Sequence, residues 1–387
     1  MQVEVHSSIA EIDAIAWNRL SGSAYPFLRH EFLAAAESTG CVSKATGWTP
    51  RHLVLYGPNR KMLAAMPLYE KSHSWGEFVF DWSWAQAYVR AGIEYYPKLI
   101  SAVPFTPAPS TRIMLGDRED RDLARTLVES AIQLAGDAGC SSFHVLFPEA
   151  GELSLLRESG LQLRKDCQFH WHNRGYRNFD EFLDRFSSAK RKKVKRERRR
   201  VAEDGIRFRW LRGEDADRAL WKDVYQLISV TFLRRGSMPY FDLDFFLDVS
   251  RQLPGTILLV LAERNGEMIA AAVFFESDNV LYGRYWGSDA HYNSLHFETC
   301  YYQGIEYCIA NSKKIFEPGT QGEHKLSRGF VPTTTWSAHW LTRPEFYAAI
   351  RSYLHEEGRH IDRYMDAAGT HSPYRAREGA EDAEPES

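Results

Sequence analysis

Residues Phe316–Phe330 (FEPGTQGEHKLSRGF) concentrate the side chains that proton transfer and anion binding use. Three glycines, Gly319, Gly322 and Gly329, frame Gln321, Glu323, His324, Lys325 and Arg328 with little apolar filler. Glycine lets a backbone approach a ligand closely, and loops are where reactive groups concentrate. His324 titrates near neutrality and is a candidate base. Lys325 and Arg328 are candidate contacts for a phosphate or a developing oxyanion. The competing reading is a surface turn whose charges are merely solvated.

A second concentration is cationic. Lys190–Arg200 (KRKKVKRERRR) holds nine basic residues in eleven, with Glu197 its lone acid. On a helix, Phe182, Phe186, Val194 and Val201 mark a buried stripe and leave a basic surface elsewhere. Such a surface repels itself, so it asks for a polyanion: nucleotide phosphates, RNA or a membrane surface. Arg191, Lys192 and Lys195 are the candidate contacts. Phosphate attraction alone reads no nucleotide sequence. Arg284 in YGRYW and Asp81 in FDW are charges inside apolar runs, so each has a structural partner or lines a cleft. His170-x-His172 puts two imidazoles on one strand face, but with no third ligand in view no metal site is expected. The GxSxG, Walker and GxGxxG patterns are absent.

The elements that must position these groups occur twice. His52–Ser72 and Leu258–Asp278 align without a gap, sharing Leu53/Leu259, Val54/Val260, Asn59/Asn265, Ala65/Ala271 and Glu70/Glu276 among others. Asn265-Gly266 between two apolar runs is a strong hairpin signal, and Gly57-Pro58-Asn59 serves the same turn. An aromatic strand is expected after each hairpin, Phe78–Trp82 and Leu281–Trp286. Ser8 and Glu11 predict a capping box opening a helix toward Leu20. Helices are expected over 30–38, 121–138, 153–159, 180–203, 215–233, 242–253, 295–310 and 345–367, and strands over 142–147 and 169–173. The pattern predicts an α/β chain of two similar units, each a mixed sheet flanked by helices. Their expected limits are 1–165 and 166–370, followed by a disordered acidic tail, 371–387.

A chain of 387 residues is long enough for two cores. Five well-separated cysteines without a C-x-x-C pair argue for a reducing compartment. No signal-like start and no apolar run of membrane-spanning length is present, so a soluble cytoplasmic protein is expected.

Val79–Ala85 (VFDWSWA), Tyr95–Leu99 (YYPKL), Val103–Pro107 (VPFTP), Leu295–Glu298 (LHFE) and Gln321–Lys325 (QGEHK) together resemble the FemAB-like family of the GNAT acyltransferase superfamily. The resemblance covers about residues 1–370. It implies two tandem GNAT-like domains and an N-acyltransferase. The Fem transferases of this group move an aminoacyl group from aminoacyl-tRNA to an amine of a peptidoglycan precursor. It also implies a basic helix like Ser187–Val201 and a phosphate-contacting lysine, for which Lys325 is the candidate. On this reading His324 or Asp81 is the base, and Lys325 and Arg328 contact the anion. Arg191, Lys192 and Lys195 hold the donor, and Arg284, Glu298, Gln321 and Glu323 complete the site. No cofactor is implied, with acyl-CoA as an alternative donor. That alternative is weakened because Ser294–Thr299 lacks the glycines that cradle pyrophosphate. Ala108–Arg112 departs from the family pattern in having no glycine before the arginine. The remaining alternatives are a CoA-dependent acetyltransferase and a non-catalytic module that recognises a cell-wall precursor.

Overall fold

Two hairpins carry the repeat. The computed structural model describes residues 1–22, 25–117, 120–320 and 322–375, so Gln321 and the acidic 376–387 lie outside the described residues. The first half contains β1 (Gln2–His6), β2 (Trp48–Pro50), β3 (His52–Tyr56), β4 (Met62–Met66), β5 (Tyr69–Lys71), β6 (Lys98–Ser101), β7 (Ser142–Leu146) and β8 (Gln162–His172). The second contains β9 (Arg207–Arg212), β10 (Ile257–Arg264), β11 (Glu267–Glu276), β12 (Val280–Ser288), β13 (Ile315–Glu317) and β14 (Val331–Leu341).

β3–β4 and β10–β11 are the expected antiparallel hairpins. Their outer neighbours repeat too. Gln2 faces Tyr56 and Phe208 faces Ala262, each residue 206 positions further on. The inner register differs by one: Val54 faces Ala65, whereas Val260 faces Ala272. The turns explain this. Asn265 and Gly266 both take positive φ in a tight turn, while the first copy needs an extra turn, Pro58–Arg60.

The helices His30–Ser38, Arg121–Asp137 and Leu153–Glu158 follow the expected spans. Three expectations are corrected. Ser8 opens only a short turn, Ile9–Glu11, because Glu11 bonds Ser7 instead; the helix proper is Ala14–Ser21, capped by Asp13. The predicted strand 78–82 is overturned, since Trp82–Arg90 is a helix that buries Trp84 and Tyr88 four residues apart. The predicted helix 180–203 is two helices, Phe179–Asp184 and Ser188–Glu203. Phe186 turns inward at the break, where Ser187 N–H donates to Pro373 O and Arg375 N–H to Arg185 O. Of the segment 371–387, residues 373–375 thus strap this break.

One sheet of eleven strands spans both halves in the order β2-β5-β6-β7-β14-β8-β13-β12-β11-β10-β9. In both halves a parallel pair, β6–β7 or β12–β13, leads to the last strand. Those last strands are exchanged: β14 pairs with β7, and β8 ends beside β13. β8 and β14 pair with each other from Gln162↔His339 to His170↔Val331. Residues 165 and 166 therefore lie inside a shared strand. The largest core likewise joins the halves, with Phe27 and Phe32 packed on Phe241, Phe245 and Phe275.

Candidate functional site

A cavity of about 520 Å³ opens between the halves. β12, Thr231, Phe232, Arg235, Tyr240, Phe274, residues 318–320, Gly322 and His324 contribute to its second-half walls, and Phe78, Phe105 and Pro107 close it from the first half. Phe105, at positive φ, stacks on Tyr240 with centroids 4.9 Å apart. Arg112 holds the loop that carries Phe105. Its buried guanidinium donates to the carbonyls of Ala108, Ser110, Thr111 and Leu146. Gly287 lets the helix Arg218–Leu233 lie on β12, since a Cβ there would sit 2.0 Å from Leu227 O.

A helix enters beside the cavity as Leu295–Phe297, widens to a π turn at Glu298–Tyr302 and continues as Gln303–Ala310. Such turns redirect side chains and recur at functional sites. Here His296, Cys300 and Tyr301 line the cavity. His324 faces them, its Nε2 2.8 Å from Tyr301 Oη and its ring centroid 6.0 Å from that of His296. Burial and then the His324 charge bring His296 down to about 4. Burial, then Arg328 and Lys325, also lower His324. Both imidazoles are therefore neutral at neutral pH, the state in which a ring nitrogen can accept a proton. Burial pushes the Cys300 thiol far up, so it stays protonated and is no nucleophile.

Lys325 is 1% exposed and its Nζ donates to Gly319 O at 2.6 Å. Burial, then the neighbouring Arg284, lower it to about 7. Arg328 is committed elsewhere. Its Nη2 donates to Glu197 at 2.9 and 3.0 Å, its Nη1 to His324 O at 2.7 Å, and its Cζ lies 3.4 Å from the Phe297 centroid. Tyr302 Oη also donates to Glu197. The lone acid of the basic run is thus the buried anchor joining the cationic helix to the loop that carries His324.

The other candidates fall into three places. Glu298 pairs with Arg198 at 3.0 Å and Glu323 accepts from Tyr364 Oη at 3.0 Å, so both face away from the cavity. Arg191 pairs with Asp184 and Lys195 with Asp180, each at 3.0 Å. Lys192 is exposed, and with Lys190, Lys193, Arg196 and Arg200 has no ion pair among the described residues. Asp81 is not at the cavity. It is 1% exposed, bound by Lys98 and by Tyr95 Oη at 2.7 Å. Against the upward push of burial, Lys98 holds its carboxyl well below the usual range, which removes it as a base for this site. His170 is buried against Gln168, and no group of three His, Cys, Asp or Glu among the described residues is arranged to hold a metal.

Sequence reasoning missed Tyr301, His296 and the aromatic wall. Their signal was present in LHFETCYY, but the π turn that aims them is invisible in helical periodicity.

A family described as FemAB-like, peptidoglycan biosynthesis/recognition, matches residues 8–376. Among solved structures, FemX superposes with a TM-score of 0.55 at 12% identity, covering 91% of this chain and 100% of that one. The C-terminal domain of a putative lysylphosphatidylglycerol synthetase from Agrobacterium fabrum gives 0.52 at 14%, covering 89% and 95%. L-PGS from Bacillus licheniformis gives 0.51 at 11%, covering 87% and 98%. At these identities the likeness establishes the fold, two tandem GNAT-like units. No curated protein sequence matches.

Proposed function

The chain belongs to the FemAB-like family, and on that premise we propose that it is an N-acyltransferase. It moves an aminoacyl group, or another acyl group, from an activated carrier to an amine of a peptidoglycan-precursor-like acceptor. The observation that carries this is the Glu197 junction, which fixes a polycationic helix to the rim of a cavity holding a neutral imidazole.

A donor linked to a polyanion binds its phosphates on Lys190, Lys192, Lys193, Arg196 and Arg200, while its acyl end enters the cavity. The acceptor nitrogen attacks the acyl carbonyl, a C–N bond forms and the bond to the carrier oxygen breaks. His324 takes the proton from nitrogen, and the leaving oxygen takes a proton in turn. Holding amine and carbonyl together in one cavity supplies much of the rate. These unpaired cations favour aminoacyl-tRNA over acyl-CoA as donor, because they extend along a helix rather than gathering at one pyrophosphate.

The test is a titration with charged tRNA, uncharged tRNA and acetyl-CoA at two salt concentrations. It is run beside a variant with the five unpaired cations changed to Ala. The proposal expects charged tRNA to bind more tightly than uncharged. It also expects the variant to lose that affinity, with a salt slope shallower by about 0.7–0.9 per phosphate contact removed. Saturable acetyl-CoA binding that the variant retains, with no tRNA binding, would replace this reading with a CoA-dependent acyltransferase. Binding of neither would leave the recognition module.

A further inference from the structure

Arg284 is the extra residue of a β-bulge. Val273 faces Tyr285 and Phe274 faces Gly283, so Arg284 has no partner across the ladder. A bulge re-aims the side chain that it carries. Here Arg284 lines the cavity, and its guanidinium is set into the wall, with Cζ 5.2 Å from the centroids of the core residues Phe27 and Tyr282. The side chain is 6% exposed, yet among the described residues only Nη1 has a hydrogen-bond acceptor, the carbonyl of Gly283 at 3.1 Å. Nε and Nη2 donate no hydrogen bond among the described residues. Nη2 is ion-paired with the buried Glu317, but loosely: Oε2 stands 3.7 Å away, too far for a good hydrogen bond, and meets no other donor among the described residues.

Nε and Nη2 form the edge of a guanidinium that meets a carboxylate with two parallel bonds. Buried donors left unmet are costly, and in a native structure each calls for a partner. Lys325, itself brought down to about 7 and so only in part a cation near neutrality, lies within electrostatic range of Arg284. Burial pushes Glu317 up to about 7, so near neutrality it opposes an incoming anion only in part. The wall also carries an aromatic stretch, Phe105, Phe232, Tyr240, Phe274 and Trp286, beside a further cation, Arg235.

We propose that this cavity is a carboxylate subsite, in which the Nε/Nη2 edge of Arg284 takes the carboxylate of a ligand whose apolar body packs against the aromatic wall. Resting on the acyl-transfer reading above, the ligand is the acceptor. The acyl carbon of an activated donor is an ester or thioester and carries no carboxylate there. The acceptor is then an amine that also bears a carboxylate, either a free amino acid or the C-terminal end of a short peptide.

Isothermal titration of the full chain tests this with L-phenylalanine, L-alanyl-L-phenylalanine, 3-phenylpropionate and L-phenylalaninamide. The carboxylates are expected to bind, and the amide roughly tenfold or more weakly, the loss expected when a charge-assisted fork is emptied. Stronger binding of the amino acid than of the dipeptide identifies a free amino acid as the source, and the reverse a peptide end. Arg284→Gln is expected to erase the preference for carboxylate. Arg284→Lys, which keeps the charge and loses the fork, is expected to fall between and serves as the second variant should the first not fold. Equal binding of amide and acid, undiminished carboxylate binding by both variants, or no binding of any carboxylate at millimolar concentration overturns the proposal. The readout needs no donor, so its failure is separable from that of the transferase reading, which the tRNA titration decides alone.

Discussion

His324 draws its chemistry from its neighbours. Tyr301 sits 2.8 Å from Nε2, and burial with Arg328 and Lys325 lowers the imidazole below its ordinary 6.5. As the base, it must be neutral to act, so the acid limb of kcat/KM is expected to be centred below pH 6.5. His324→Gln is expected to remove that limb and about a hundredfold in rate, at the low end for acid–base catalysis because positioning does much of the work. A wild-type limb centred above pH 6.5, or an unchanged limb in the variant, would assign the proton elsewhere. Glu197 tests the junction. Its pair with Arg328 is buried, with side chains 9% and 2% exposed, so removing one partner strands a charge. Glu197→Ala is expected to cost about 3–5 kcal/mol in urea unfolding, against within about 0.5 kcal/mol for Lys192→Ala. Residue types in the sequence were enough to nominate His324, Lys325 and Arg284, since each is a polar group where apolar or inert ones are the rule. They were not enough to separate Arg328 and Asp81 from the reacting groups, because a captive charge and a working charge are the same letter. Only the partners, Glu197 and Lys98, distinguish them.

At the scale of elements, the seam between β7 and β14 carries its own prediction. His144 and His339 face each other across it with Nδ1 atoms 2.7 Å apart, and their Nε2 atoms meet Ser142 and Ser337. One ring must donate and the other accept, so at least the accepting ring is neutral. Burial, then Lys98, brings His144 down to about 3, and burial, then His144, holds His339 well below its ordinary value. Both bind their protons more readily when unfolded. Their contribution is therefore complete above the unfolded value near 6.5 and drains away as pH falls toward 3. Unfolding free energy is expected to drop over that window by up to about 1.4 kcal/mol per pH unit for each histidine. A double His→Leu variant should lose much of this slope; an unchanged slope contradicts the assignment. The hairpins were legible because Asn-Gly and Gly-Pro-Asn are local signals. The helix Trp82–Arg90 was not, since WSWAQAYV is as aromatic as a strand and only its burial at Trp84 and Tyr88 has helical spacing. The one-residue register difference was hidden too, as matched letters do not report turn length.

The whole molecule is tied together by exchange. Each half gives its last strand to the neighbourhood of the other, and no local pattern encodes that, because pairing such as Ser337↔Leu146 is non-local. Duplication was readable from the sequence; the shared sheet was not. Residues 1–172 expressed alone lack β14 and leave β7 without its neighbour. They are expected to give no cooperative thermal transition, whereas co-expression with 173–387 restores one. A separately folding first half would contradict the shared-sheet account. Among the described residues no helix is long and apolar enough to cross a membrane.

The measurement that bears most directly on the central claim is single-turnover transfer. The wild-type chain is mixed with tRNA carrying a radiolabelled amino acid and with an amine-bearing peptide that ends in a carboxylate. The account predicts label moving from tRNA to the peptide through an amide bond, slowed about a hundredfold by His324→Gln and abolished in the charge-neutralised helix variant. Label that stays on tRNA across a panel of such amines, while the tRNA remains bound, would contradict it.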